Sequence, residues 1–139
     1  MLSGSATRTV LPVLDIERAR RFYAEKLGLT PLEESPGGLV YEVGGAGSPA
    51  RPGWPQRSSF LLYPTPNPAR AGHTQMGFIV DDIKGVAEEL RTSGVVFEEY
   101  DFPGVKTENG VAEMVGGYVK SAWFKDSEGN LLGLVQFSG

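Results

Sequence analysis

The chain holds one histidine, His73, and no cysteine among its 139 residues. Those two counts decide most of the available chemistry. Thiolate metal sites, iron–sulfur clusters, disulfides and a cysteine nucleophile are excluded. A two-histidine, one-carboxylate iron site cannot form within one protomer, and a catalytic zinc generally needs three protein ligands. Gln75 lies two residues beyond His73 on the same side of an alternating strand, but an amide oxygen alone is a weak ligand. A third donor would have to be Glu42 or Glu113. A Ser-His-Asp triad would also have to use His73 and has no nucleophile elbow to present its serine. For metal-free acid–base work the residues of suitable type are His73, Glu42, Glu113 and Tyr63, and such work needs geometry as well as type. The plainer reading of His73 is a surface residue at the start of a strand.

Other ligand classes leave little trace. The glycines of "GGAGSPARPG" lack the Lys-Ser/Thr of a phosphate loop and the strand-to-helix setting of a dinucleotide site, so they read as loop glycines. A net charge of −4 and a pI near 5 argue against a nucleic-acid partner, which would require a clustered basic face. The one basic run, "ERARR" at 17–21, forms i,i+4 charge pairs along a helix and reads as a solvated face. No eighteen apolar residues run together and the first ten contain no apolar core of a signal peptide, so neither membrane nor export is indicated. With no cysteine, the expected location is cytoplasmic.

The elements that must position these residues are written twice. "DIERARRFYAEKLG" from Asp15 and "DIKGVAEELRTSG" from Asp82 each open with an N-cap aspartate followed by an isoleucine, and each ends at a C′ glycine, Gly28 or Gly94. Ile16, Ala19, Tyr23 and Leu27 form one apolar stripe; Ile83, Val86, Ala87 and Leu90 form the other. A strand precedes each helix, "RTVLPVL" or "QMGFIVD". A strand with two glutamates follows, "LEE" at 32–34 or "FEE" at 97–99. In the first copy "SPGG" predicts a type II turn with Gly37 at positive φ, leading into "GLVYEVG", and "SSFLLYP" completes the copy. In the second, residues 100–117 read as irregular, followed by the strand "YVKSAWFK", the turn "DSEGN" and a strand at 131–137. Each copy is therefore β-α-β-β-β. The expected organisation is one domain over 1–139, with module one at about 6–64, a proline-rich linker at about 65–72 and module two at about 73–137.

Those two modules, with the Phe22-Tyr23 pair on the first helix and the turn in "FKDSEGNLLGLVQ", resemble the glyoxalase/bleomycin-resistance/dioxygenase family, also called vicinal oxygen chelate proteins. The resemblance covers nearly the whole chain. It implies an α+β fold in which curled mixed sheets enclose a cavity. In family enzymes the cavity holds a divalent metal through side chains of the first, fourth, fifth and eighth strands. The matching positions here are Arg8, Leu61 or Leu62, Gln75 and Gly133. An arginine has no lone pair to give a metal, and glycine has no side chain.

By alternation, Arg8, Val10, Pro12, Gln75, Gly77, Ile79, Leu131, Gly133 and Val135 face the cavity, and the opposite parity packs on the helices. Such a lining suits a bulky apolar guest. Aromatic residues are expected to rim it, and the candidate ligand-binding set is Arg8, Trp54, Phe60, Tyr63, Gln75, Tyr100, Phe102, Trp123 and Gly133. Trp54 lies in a loop at 44–56, of the length often used in binding loops. The resemblance points to a metal-independent protein that sequesters a hydrophobic, aromatic natural product in the manner of antibiotic-binding resistance proteins. It implies no cofactor and a homodimer with sites at the interface. Two alternatives remain open: a metal-dependent lyase, isomerase or thiol transferase of the same family, and a metal-free enzyme using the same cavity.

Overall fold

A computed structural model of the chain describes residues 1–45, 56–66 and 72–138. The two helices form as their caps dictate. At the start of α1 (Ile16–Leu27), the Asp15 carboxylate accepts the Arg18 N–H at 3.0 Å; at its end Gly28 takes φ 70°. A side chain there would cost strain that glycine avoids. In α2 (Ile83–Thr92), Asp82 accepts the Gly85 N–H at 3.1 Å, and Gly94 takes φ 100° just past the end.

The first copy contributes β1 (Thr9–Val13), β2 (Glu33–Ser35), β3 (Gly38–Gly44) and β4 (Arg57–Pro64), in a four-stranded sheet of order β1-β4-β3-β2. The second contributes β5 (Met76–Ile79), β6 (Asp101–Phe102), β7 (Val105–Glu108), β8 (Val111–Met114), β9 (Val119–Lys125) and β10 (Leu131–Phe137). These make a six-stranded sheet of order β5-β10-β9-β8-β7-β6. Each copy pairs its first strand in parallel with its last, Val10 opposite Leu61 and Gly77 opposite Gly133; all other neighbours are antiparallel. Both sheets are thus mixed, as the α+β expectation requires.

Three local expectations are corrected. Residues 97–99 make no strand, only a single bridge between Phe97 and Phe124. Residues 100–117, read as irregular, carry β6, β7 and β8, joined by two tight hairpins. Pro103-Gly104 closes the first with Gly104 at φ 86°, and Asn109-Gly110 closes the second with φ 52° and 79°. Positive φ at both central residues is the type I′ geometry that Asn-Gly favours. In the first copy the positive φ falls on Gly38, not Gly37. A Cβ at Gly38 would collide with the carbonyl oxygen of Leu62 on the neighbouring strand, so glycine is required where the strand begins.

The helix-facing sides of both sheets share one core. Leu11, Val13, Tyr23 and Phe60 from the first copy and Ile83, Phe124, Leu132 and Leu134 from the second are almost wholly removed from water, with Met76, Phe78 and Val80 packed against them. The opposite parity forms the faces turned away from the helices, which the curled sheets expected of this fold make the concave faces.

Candidate functional site

On the concave face of the second sheet, one row of residues runs Gly77, Gly133, Trp123 across β5, β10 and β9. The indole of Trp123 reaches over the bare Gly133, and its Nε1 donates to Thr74 Oγ1 at 2.9 Å on the far side. A Cβ at Gly133 would sit 3.2 Å from the Thr74 methyl and 3.6 Å from Trp123 Cδ1. The glycine therefore leaves room for an aromatic ring to cross the strand. Trp123 remains partly exposed, with Tyr100 packed edge-on against it at 5.4 Å and 68°, and Phe102 5.8 Å beyond Tyr100. Tyr100 is held by its backbone N–H, which donates to Thr107 Oγ1 at 2.8 Å. Phe102, at the tip of the β6–β7 hairpin, is 53% exposed. The three rings, packed edge to face, make an aromatic floor whose outer member, Phe102, is the most exposed.

A polar clasp fixes the end of that floor. Gln75 spends both ends of its amide: Nε2 donates to Asn130 Oδ1 at 2.8 Å, and Oε1 accepts the Leu131 N–H at 2.9 Å. Asn130 donates in turn to the Pro12 carbonyl and to Asp126, each at 2.9 Å. Asp126 also accepts the Tyr23 hydroxyl at 2.7 Å. Burial, and then the adjacent carboxylate, hold the Tyr23 phenol well above its ordinary range, so it stays a donor. Next in the turn, the buried Glu128 side chain accepts the Leu14 and Asp15 N–H groups at 2.9 and 2.8 Å and the Arg18 guanidinium at 2.8 Å. Burial raises the Glu128 pKa, but the bonds from Arg18, Asp15, Ser127 and Leu14 outweigh it and bring it down to about 2. The Phe22-Tyr23 helix and the "DSEGN" turn are thus two halves of one joint between the copies.

The other candidates are spread out. Tyr63 faces the concave side of the first sheet at 39% exposure, in a parity row with Ser59 and Leu61. Arg8 precedes β1, is exposed, and has no hydrogen-bond or ion-pair partner among the described residues. Phe60 is a correction: it stacks on Tyr41 at 4.9 Å and 5° in the helix-side core, where no guest on the concave face can touch it. Phe60 and Tyr63 are three residues apart on one strand and so point to opposite faces. Trp54 lies outside the described residues. The acid–base candidates do not converge either. His73 is exposed, Glu42 pairs with Arg57 at 3.0 Å, and Glu113 lies beside α2 on the opposite face of the sheet from Trp123, 3.9 Å from Lys120. Thr74, which holds the indole, was missed by sequence reasoning; a hydroxyl next to an exposed strand start carries no distinguishing signal.

The family's metal positions do not fit a cation here. Arg8 is itself a cation, Leu61 is hydrocarbon, the Gln75 amide is consumed by Asn130 and Leu131, and Gly133 has no side chain. Among the described residues no group of three or more His, Cys, Asp or Glu is placed to hold a metal.

The glyoxalase/bleomycin resistance protein/dioxygenase superfamily model matches residues 6–134. The chain belongs to that superfamily. Its fold is shared across the superfamily at low identity. TnmS3, an antibiotic-binding protein from Streptomyces sp. CB03234, is 23% identical with a TM-score of 0.57, over 97% of this chain and 98% of its own. UcmS2 is 21% identical with a TM-score of 0.57, over 94% and 97%. The fosfomycin resistance protein FosX from Listeria monocytogenes is 15% identical with a TM-score of 0.62, over 99% and 96%. At such identities the likeness concerns the fold. No curated protein matches the chain in sequence. Among the described residues, no helix is long and apolar enough to cross a membrane.

Proposed function

We propose that this superfamily member is a metal-independent binding protein that sequesters a hydrophobic, planar aromatic natural product, in the manner of a resistance or self-resistance protein of the cytoplasm. One observation carries the reading. Where the superfamily's metal enzymes would place their last carboxylate, Gly133 instead makes room for the Trp123 indole, turning a metal position into a stacking surface. Ring stacking adds about 0.5–1.5 kcal/mol per pair beyond area burial. A guest of about 30 heavy atoms at about 0.3 kcal/mol each reaches roughly −9 kcal/mol, better than micromolar, with no chemistry at all. The antibiotic-binding neighbour TnmS3 supports the same direction at the level of fold.

The guest lies on the Trp123, Tyr100 and Phe102 floor, with the bare Gly77 beside it, Gly133 seating the indole from beneath and Gln75 fixing the end. Tyr63, Arg8 and Trp54 contribute from the opposing module. Val10 and Tyr63 leave apolar surface open on the first sheet, which supports a homodimer in which two chains close each site. The module pair acts as one domain. A metal-dependent lyase, isomerase or transferase would need donors that these four positions lack.

The test is made on untagged protein. Incubation with Ni²⁺, Co²⁺, Fe²⁺, Mn²⁺ and Zn²⁺ followed by desalting should leave far less than one metal per chain. About one tightly held metal would refute metal independence. Polycyclic aromatic natural products should quench Trp123 emission saturably in a Trp54→Phe background. Trp123→Ala should weaken binding by at least about tenfold, measured calorimetrically; unchanged affinity would remove the indole from the site.

A further inference from the structure

β5 and β10, which carry Gly77 and Gly133 on the concave face, present their other parity to an apolar cleft on the helix side. Phe78 of β5, Val80 just past its end and Leu134 of β10 form one wall, Val86 and Leu90 of α2 another, and Val43 near the end of β3 closes it with Leu27 and Leu29 from the first copy. The space is about 230 Å³. We infer that this cleft is a binding site for a small hydrocarbon guest of one or two rings, separate from the concave site.

The chemistry of the walls selects that class. They are almost wholly hydrocarbon, and an ordered water needs two to four polar partners to occupy a cavity. Water is therefore a poor occupant, and a charged or hydroxylated guest would leave its polar groups unsatisfied. Size sets the rest. A cavity of about 150 Å³ lined by Leu, Ile and Phe suffices for benzene, so this one admits a ring with a substituent or a fused pair.

Access needs no unfolding, because Val43, Val86 and Leu90 are only partly buried at the cleft while Leu134 lies at its base. Occupancy is also independent of the concave site. Gly77, Ile79, Gly133 and Val135 point the other way along the same strands.

Methyl-labelled protein titrated with toluene and naphthalene, with benzoate as the charged control, tests the inference. The expected result is saturable shifts of the Val43, Val80, Val86, Leu90 and Leu134 methyls with both hydrocarbons and none with benzoate. Val86→Phe, which fills the cleft, should weaken toluene binding by at least about tenfold. Leu90→Ala, which widens it, should shift preference toward naphthalene, and it carries the test if Val86→Phe does not fold. Shifts confined to Val10, Leu61, Ile79 and Val135 would overturn the inference, placing the hydrocarbon on the concave faces. So would shifts that rise linearly without saturating, or no shifts because a second copy fills the cleft. Loss of Trp123 quenching by natural products leaves these methyl signals unaffected, so the two readings fail separately.

Discussion

Gly133 shows how a missing side chain can shape a surface. The indole crosses the strand only because nothing rises from position 133, and the Thr74 hydroxyl catches it on the other side. Gly133→Glu should push the indole off Thr74 and set a carboxylate on an apolar floor. The expected outcome is loss of aromatic-guest binding with red-shifted tryptophan emission in the Trp54→Phe background; retained binding would show that the guest lies elsewhere. Gln75 illustrates the opposite case. It stands where a ligand would be, yet both ends of its amide are tied into the turn at Asn130 and Leu131. Side-chain type and spacing made it a candidate; only the position of its partners, 55 and 56 residues away, shows what it does.

The helices, the two-copy order and the inward parity of β1, β5 and β10 were legible in the sequence, because caps and period-two alternation are local signals. The hairpins of the second copy were missed: Pro103-Gly104 and Asn109-Gly110 are turn signals, but the low hydrophobicity of "YDFPGVKTENG" hid the strands they join, so residues 100–117 read as irregular. Phe60 was misplaced for a different reason. In "SSFLLYP" the run Phe60-Leu61-Leu62-Tyr63 has no alternation, so pattern alone cannot tell which face is inner. The turn at Gly110 gives a check at this scale. Gly110 has φ 79°, and an added Cβ would lie 2.8 Å from Phe97 Cβ. Gly110→Ala should cost about 1–3 kcal/mol in denaturant unfolding. An unchanged midpoint would mean the hairpin does not need its I′ geometry.

Across the whole molecule, the joint between the copies depends on a carboxylate whose pKa falls from 4.5 to about 2 on folding. A depressed carboxylate contributes its stability above the unfolded value and loses it as pH falls toward the folded one. Stability should therefore drop between about pH 4.5 and 2. Glu128→Gln should be less stable at pH 7, by about 1–3 kcal/mol, and should show a shallower loss over that window in urea titrations. A parallel pH profile in the variant would assign the acid sensitivity to other groups. At the same scale, sedimentation over a wide concentration range should find a dimer, and Tyr63→Glu on the open face of the first sheet should shift it toward monomer. A monomer throughout would remove the partner copy from the site.

The clasp also has a consequence for biosynthesis. Glu128 caps backbone groups at Leu14 and Asp15 that were made 114 and 113 residues earlier. While the ribosome is still extending the chain toward the "DSEGN" turn, every residue of the first module has been made but the groups that lock its helix have not. A nascent chain stalled before residue 126 would hold the N-terminal end of α1 without its carboxylate partner and Tyr23 without Asp126. Chaperones should stay on such stalled chains longer than on full-length chains released with the turn in place.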